Sequence, residues 1–330
     1  MPTTSTRLAP AQRQEPSRRA GVLPGVGAAA AGVVLSVLLG VVAANARLVP
    51  DTASPGLRLV VKKLLRLGVV LLGFSLPLAT VLDLGFPVIG LVVVTLSTTL
   101  VLTVWLGIRM GLGRSRSLLI GTGFAICGAS AVAAMEQTAE ADEEDVATAV
   151  GMVTVWGTVA MIALPLLQAP LGLSGYDLGV WAGASVHEVG QVVAAAGPGG
   201  AVAVSVAVAV KLTRVLLLAP VVTVVSGLRR RSARGERGEE TAGKPPALVP
   251  LFVLGFLACV ALRSIGAVPT TALPLIEQVQ TWALAAGLFA LGTGVRLRSL
   301  RRSGGRAMAL GGLATLVVVG MSLPGVLWLA

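Results

Sequence analysis

Four ionisable side chains stand inside apolar segments of the sequence. His187 and Glu188 are neighbours in "WAGASVHEVGQVVAAAG", and Lys211 and Arg214 belong to "AVKLTRVL". An isolated charge inside a bilayer is unfavourable, so such groups generally face a cavity or one another. Lys211 and Arg214 are three residues apart and project from one helical face. The pattern predicts a polar site in which the cations attract an anion and the His–Glu pair binds protons.

A structural interpretation of the same residues stays open. Glu188 could pair with Lys211 or Arg214 and hold two helices in register, and His187 could be a hydrogen-bonded structural group rather than a proton-linked one. A zinc-protease helix needs a second histidine where this chain has Gln191. We therefore expect no metal, no cofactor and no enzymatic activity.

A glycine-rich segment, "GTGFAICGASAVAAMEQ", adds a second feature. Small residues in mid-membrane allow a helix to unwind near Gly128–Ser130 and to present free backbone N–H groups to an anion. The alternative is a small-residue seam for close helix packing. The predicted substrate-binding residues are Lys211, Arg214, Gly128, Ala129, Ser130, Gln191 and Thr213, and the predicted coupling residues are His187, Glu188 and Glu136.

Composition defines the class of protein that must position these residues. The chain has 330 residues, 55% hydrophobic and 12% charged, and its mean hydropathy is +0.88. A span of about 20 apolar residues crosses a bilayer. We expect an all-α polytopic membrane protein with about ten transmembrane helices, nine to eleven in all, at roughly 22–44, 60–81, 86–108, 117–137, 146–168, 178–197, 202–226, 248–266, 278–297 and 306–329.

The basic residues lie mostly in short loops between these segments. A net charge of +11 therefore reflects membrane topology, with basic loops in the cytoplasm, rather than a nucleic-acid partner. We expect a multi-pass membrane protein in contact with the lipid bilayer, and a homo-oligomer is one possible assembly. The expected divisions are a disordered tail (1–21), seven helices with the site (22–226), a cytoplasmic basic loop (227–247) and three further helices (248–330).

Two weak internal echoes raise the question of a repeat. Residues 67–87 resemble residues 286–306 in the spacing of glycine and leucine. "CGASAVAA" (127–134) resembles "EVGQVVAA" (188–195), and each is followed by a span containing a proline. Transporters are often built from repeats with discontinuous helices at the substrate site. Such echoes also arise by chance in Gly/Ala/Val-rich helices, and the sequence does not decide whether a repeat would be inverted.

Several strings resemble the signature segments of the bacterial sulfate exporter family. They are ICGASA, SVHEV and KLTRV, in that order, within a similarity that runs from about residue 24 to the C-terminus. The resemblance implies a bacterial inner-membrane carrier of sulfate or a related sulfur oxyanion or sulfonate. A more distant similarity to the bile-acid and sodium/proton antiporter superfamily implies two broken helices that cross at the site and an alternating-access mechanism.

These observations together favour a secondary transporter that exports a small anionic solute. No nucleotide-binding motif is present in the sequence, so the energy would come from a gradient. One alternative is a proton- or sodium-coupled carrier of another solute, handled by Glu188 and Glu136. The other is a membrane sensor or scaffold whose buried charges only fix helix packing.

Overall fold

The computed structural model describes residues 35–36, 39–60, 63–64, 66–75, 77–236, 251–293 and 297–329. Within these ranges every regular element is helical, which confirms the all-α class. The predicted tail (1–21) and the second part of the predicted loop (237–247) lie outside them. The helices are α1 (Ser54–Val60), α2 (Arg66–Leu72), α3 (Leu78–Leu82), α4 (Gly85–Arg109), α5 (Arg114–Ala125), α6 (Ala129–Ala139), α7 (Glu143–Gln168), α8 (Gly175–Ser185), α9 (Val189–Ala196), α10 (Gly200–Leu216), α11 (Leu218–Glu236), α12 (Leu251–Ser264), α13 (Leu273–Thr293) and α14 (Leu297–Leu329).

Within the described ranges, four helical runs are long and apolar enough to cross a bilayer. They are Gly85–Arg109, Glu143–Gln168, Val189–Arg229 and Gly305–Leu329. Arg66–Ser75 and Leu254–Ser264 are shorter apolar helices. The third run begins with α9, which is separated from α10 by the 3-10 turn Gly197–Gly199. The part of this run that crosses the membrane is α10 followed by α11. These helices confirm a polytopic membrane protein.

The first glycine-rich segment folds into a helical hairpin. Helix α5 ends at Ala125, the chain turns at Ile126–Gly128, and α6 returns beside α5. The Ser115 hydroxyl, at the start of α5, donates to the Ala139 carbonyl at the end of α6 over 2.7 Å. The predicted span 117–137 is therefore wrong as a crossing helix, because the segment enters and leaves on the same side. We call α5, its turn and α6 hairpin 1.

The segment containing His187 and Glu188 forms a second hairpin. A Cβ added to Gly175, at the start of α8, would lie 2.5 Å from the Gly199 carbonyl oxygen, just after α9. A Cβ on Gly179 would likewise lie 2.6 Å from the Ala203 carbonyl oxygen, so α8 and α10 run parallel. Helix α9 must then return to the level where α8 began. The predicted span 178–197 is also not a crossing helix; we call α8, the turn Val186–Glu188 and α9 hairpin 2.

The two hairpins enter from opposite sides of the membrane. Helix α7 has 26 residues, about 39 Å at 1.5 Å per residue, which is enough to cross. It leaves the base of hairpin 1, where Arg116 is ion-paired with Asp145, and leads to hairpin 2. Helices α10 and α11 return, since the Ser226 and Thr138 hydroxyls lie 3.1 Å apart at the base of hairpin 1.

Basic residues mark the side from which hairpin 1 enters. Helix α4 ends at Arg109, α5 begins at Arg114, and α11 carries Arg229–Arg231. The positive-inside rule places this side in the cytoplasm. The first residues of the predicted loop 227–247 belong to α11, which continues to Glu236.

The sequence echo coincides with the hairpin geometry. Residues 127–134 and 188–195 each contain the end of a hairpin turn and the start of the returning helix. Each hairpin is followed by a membrane-crossing helix with a proline, Pro165 in α7 and Pro220 in α11. Because the hairpins enter from opposite sides, the two units have opposite orientations.

Candidate functional site

The tips of the two hairpins meet in the interior of the protein. Gly128 closes the tip of hairpin 1 with φ 76° and ψ −134°, a backbone conformation that residues other than glycine rarely adopt. A Cβ on Gly128 would lie 2.6 Å from Glu188 Cγ, in the tip of hairpin 2. Glycine at 128 is thus required twice, by its backbone angles and by the neighbouring side chain.

Lys211 joins the two tips through their backbone. Its ammonium group donates to the Ile126 carbonyl over 2.6 Å and to the Val186 carbonyl over 2.9 Å. The residue has 0% exposure and lies on α10. One cation therefore bonds the turn of each hairpin at the same time.

Arg214, one turn further along α10, bonds the last carbonyls of α5 and α8. Its Nη2 donates to Phe124 O over 2.8 Å and to Ala125 O over 2.6 Å. Its Nη1 donates to Ala184 O over 2.8 Å, and its Nε donates to Ala125 O over 3.0 Å. The final carbonyls of a helix lack partners within the helix and carry its negative dipole end. Arg214 donates hydrogen bonds to these carbonyls and places a positive charge at the negative dipole end, for α5 and for α8.

These bonds bear on the predicted role of the cations. The structure gives Lys211 and Arg214 backbone partners, and their direct contact with a substrate stays a prediction. Glu188 makes no ion pair with either of them among the described residues, where the ion pairs are those of Arg116 with Glu144 and Asp145. A Glu188–cation pair, the structural alternative, is not formed in this conformation.

Glu188 is a buried carboxylate that no side chain bonds in the described part of the chain. Its residue is 5% exposed, and the backbone N–H of Ala129, the first residue of α6, faces the carboxylate. Glu188 precedes α9, and its Oε1 lies 3.2 Å from the position of a Cβ on Gly128, which precedes α6. The carboxylate thus lies where two helix N-termini, both positive dipole ends, converge.

Gln191 fixes the backbone of hairpin 2 beside this carboxylate. Its Oε1 accepts from the Glu188 N–H over 3.3 Å. Its Nε2 donates to Thr154 O over 3.3 Å, on α7. Gly157, also on α7, leaves room for the amide, because a Cβ there would collide with it. Gln191 therefore positions the tip.

His187 ties the same tip to α14. Its Nε2 lies 3.2 Å from Thr315 Oγ1, and Thr315 Oγ1 itself donates to Gly311 O over 3.0 Å. The donor in the His187–Thr315 bond depends on the tautomer of the histidine. The backbone carbonyl of Phe124 also faces the imidazole. The Phe124 ring packs edge-on against the imidazole at 4.5 Å.

The remaining predicted residues fall at different distances from the tips. Ser130 caps hairpin 1, because its hydroxyl donates to Cys127 O over 3.2 Å, and Ala129 beside it is buried. The Thr213 hydroxyl donates to Ala209 O over 2.9 Å within α10. Glu136 lies about two turns along α6 toward the base of hairpin 1, away from the tips. The structure therefore brings Lys211, Arg214, Gln191, His187 and Glu188 together with the Gly128–Ser130 segment, whereas the hydrogen bond of Thr213 stays within α10 and Glu136 lies away from the tips.

Comparison with known proteins identifies the family. The model of the family described as conserved hypothetical protein 698 matches residues 22–311. The chain belongs to this family. A UPF0324 membrane protein of Corynebacterium glutamicum is 41% identical over 295 residues, covering 89% of this chain and 84% of its own. Relatives of the same name from Bacillus cereus and Agrobacterium fabrum are 34% and 35% identical, covering 84% and 88% of this chain and 81% of each relative.

Membership of the conserved hypothetical protein 698 family indicates that the protein lies in a bacterial membrane. The relatives are bacterial membrane proteins by name, and the helices described above make this chain a multi-pass one. Their names give no substrate. No solved structure matches the chain.

The site carries an excess of positive charge. Each helix end contributes about half a unit charge, so the C-termini of α5 and α8 together give about −1 and the N-termini of α6 and α9 about +1. Lys211 and Arg214 add two positive charges when both are protonated, and Glu188 subtracts one when it is ionised. With both cations protonated, the sum is about +1 with Glu188 ionised and about +2 with Glu188 protonated.

Proposed function

We propose that the protein is a secondary transporter of a small oxyanion, sulfate in the most concrete form, bound between the two hairpin tips. The supporting observation is the convergence of the N-termini of α6 and α9 on one buried point of net positive charge. Free backbone N–H groups at helix N-termini bind sulfate and phosphate groups in many proteins. Lys211 and Arg214 prepare this point by neutralising the two opposing C-termini.

The orientation of the hairpins supports alternating access. Hairpin 1 separates the tips from the cytoplasm and hairpin 2 separates them from the outside. A carrier needs a barrier on each side that opens in turn, and each hairpin serves as one. Export is the direction implied by the similarity to sulfate exporters.

Glu188 gives the carrier a means of coupling to protons. When ionised, its carboxylate is an anion already attached at the two N-termini, and it repels and excludes a second anion. When protonated, the carboxyl group is neutral and no longer repels an anion at the two N-termini. A proton and the oxyanion therefore bind and cross together, so export is driven by an outward substrate gradient and is favoured when the cytoplasm is more acidic than the outside.

A second candidate follows from the same carboxylate. The two oxygens of Glu188, which no described side chain bonds, are also ligands for a hard cation. The protein would then be a sodium- or proton-coupled carrier of another solute. A sensor or scaffold is the third candidate, and the backbone bonds of Lys211 and Arg214 are compatible with it.

The test is flux of radiolabelled sulfate into proteoliposomes, with and without an imposed pH gradient, and with and without sodium. Saturable flux that follows the pH gradient and is lost in Lys211→Ala supports the proposal. Sulfate-insensitive solute flux that requires sodium selects the second candidate. No flux of sulfate, sulfonates or carboxylates above that of protein-free vesicles contradicts an anion carrier and favours the scaffold.

A further inference from the structure

Three threonines of α4 bury hydroxyl groups that have no partner. Thr95, Thr99 and Thr103 are 1%, 0% and 0% exposed, and none of their hydroxyl oxygens has a hydrogen-bond partner among the described residues. Buried Thr122, Thr213 and Thr315 each bond the carbonyl one turn earlier, as Thr122 does with Leu118 O over 2.7 Å, whereas Thr154 of α7 is a single further hydroxyl without a partner among the described residues. A hydroxyl buried without a partner is unfavourable, so three in succession call for a function.

The threonines form a stripe along hairpin 1. Residues four apart share one helical face, and eight residues span about 12 Å. One turn beyond Thr103, a Cβ on Gly107 would lie 2.5 Å from Ser117 Oγ, near the start of α5. One turn beyond Ser117 on α5, a Cβ on Gly121 would lie 3.3 Å from Leu100 O, which precedes Gly107 on α4. Helices α4 and α5 are thus antiparallel, and Thr95 lies toward the tip while Thr103 lies toward the cytoplasmic base.

Helix α14 covers the same region and connects it to the site. A Cβ on Gly107 would lie 2.9 Å from Leu310 Cδ2, and Gly325 packs against Leu91 near the other end of α4. Thr315 of α14, which holds His187, lies between these two contacts. Thr315 is five residues from Leu310, and five residues back from Gly107 is the stretch between Thr99 and Thr103, so this part of the stripe is level with the His187–Thr315 bond.

We propose that Thr95, Thr99 and Thr103 line the route by which the anion moves between the hairpin tips and the cytoplasm. This inference rests on the proposed function. In the present conformation α5 and α14 pack against α4 and the route is closed. When hairpin 1 moves away from α4, the hydroxyls donate to the oxyanion and to its hydration water. Because they carry no charge, they stabilise the passing anion without trapping it.

The test uses valine, which has the shape of threonine without the hydroxyl. The triple variant Thr95→Val, Thr99→Val, Thr103→Val is compared with wild type for sulfate flux in proteoliposomes. Binding is measured separately, as the rise in melting temperature that sulfate causes in detergent. The matched control is Thr223→Val on α11, whose hydroxyl donates to Ala219 O over 2.8 Å. Single Thr99→Val repeats the test with the smallest change.

The expected result separates transport from folding. The triple variant should lose flux by about tenfold or more, keep the sulfate-induced shift, and melt no lower than wild type, since no hydrogen bond is removed. The control should keep its flux. Wild-type flux in the triple variant, or flux and sulfate binding lost together, overturns the route. Absence of anion flux in the wild type overturns the proposed function itself, which is a distinguishable outcome.

Discussion

Replacing Gly128 by alanine tests the contact between the hairpin tips. The backbone angles of Gly128, φ 76° and ψ −134°, cost a residue with a Cβ about 1–3 kcal/mol. The new methyl group would also lie 2.6 Å from Glu188 Cγ and 3.1 Å from Val153 Cγ1, and overpacking of this kind costs about 1–3 kcal/mol. We therefore expect Gly128→Ala to lower the free energy of unfolding by about 2–6 kcal/mol.

The assay is unfolding in mixed micelles, followed by the fluorescence of tryptophans such as Trp181, which is 1% exposed. Gly90→Ala is the control, because no atom lies within 4 Å of its added Cβ; it should be neutral or stabilising by roughly 0.5–1 kcal/mol. Adding Glu188→Ala to Gly128→Ala should recover the free energy of unfolding lost to overpacking, about 1–3 kcal/mol. The loss caused by the backbone angles should remain. Equal stability of Gly128→Ala and Gly90→Ala, or no coupling in the double variant, would refute the tip contact.

Three further substitutions test the groups around the tips. Glu188→Gln should keep sulfate flux but make it independent of pH, because the amide does not ionise; an unchanged pH profile removes Glu188 from coupling. Arg214→Lys should lower the free energy of unfolding by about 2–4 kcal/mol and weaken flux, since lysine has fewer donors and cannot reach both hairpins; wild-type stability by micelle unfolding would contradict this. Thr315→Val should cost about 1–2 kcal/mol by removing the partner of His187, whereas Thr281→Val, whose hydroxyl bonds Glu277 O, should cost less in the same assay; equal losses would show that the His187 bond adds no stability.

The sequence predicts the membrane class and much of the candidate site. Apolar composition requires a helical membrane protein, and the rarity of charge in a bilayer singles out His187, Glu188, Lys211 and Arg214. The break near Gly128 follows from the conformational freedom of glycine, and the turn of hairpin 1 is there. These inferences depend on local chemistry, which a single sequence contains.

The hairpins and the partners of the cations could not be predicted in the same way. Two short helices joined by a tip have the length and composition of one crossing helix, so hydropathy does not distinguish them. The two broken helices that the distant resemblance implies are present, but each turns back as a hairpin instead of crossing. The cations bond backbone carbonyls of Ile126 and Phe124, and any residue supplies a carbonyl. Thr315 was missed because a threonine in an apolar helix usually bonds its own helix and gives no signal.

The most direct measurement of the central claim, two hairpins entering from opposite sides, is the sidedness of the loops that flank α7. Cysteine is introduced by Glu140→Cys or Leu171→Cys into a protein whose buried Cys127 and Cys259 are replaced by alanine. The variants are labelled in cells and in inverted vesicles with a membrane-impermeant maleimide. Both positions are exposed. We expect Glu140→Cys to react only from the cytoplasm and Leu171→Cys only from outside. The reverse pattern, which ten crossing helices require, would contradict the hairpins and the site between them.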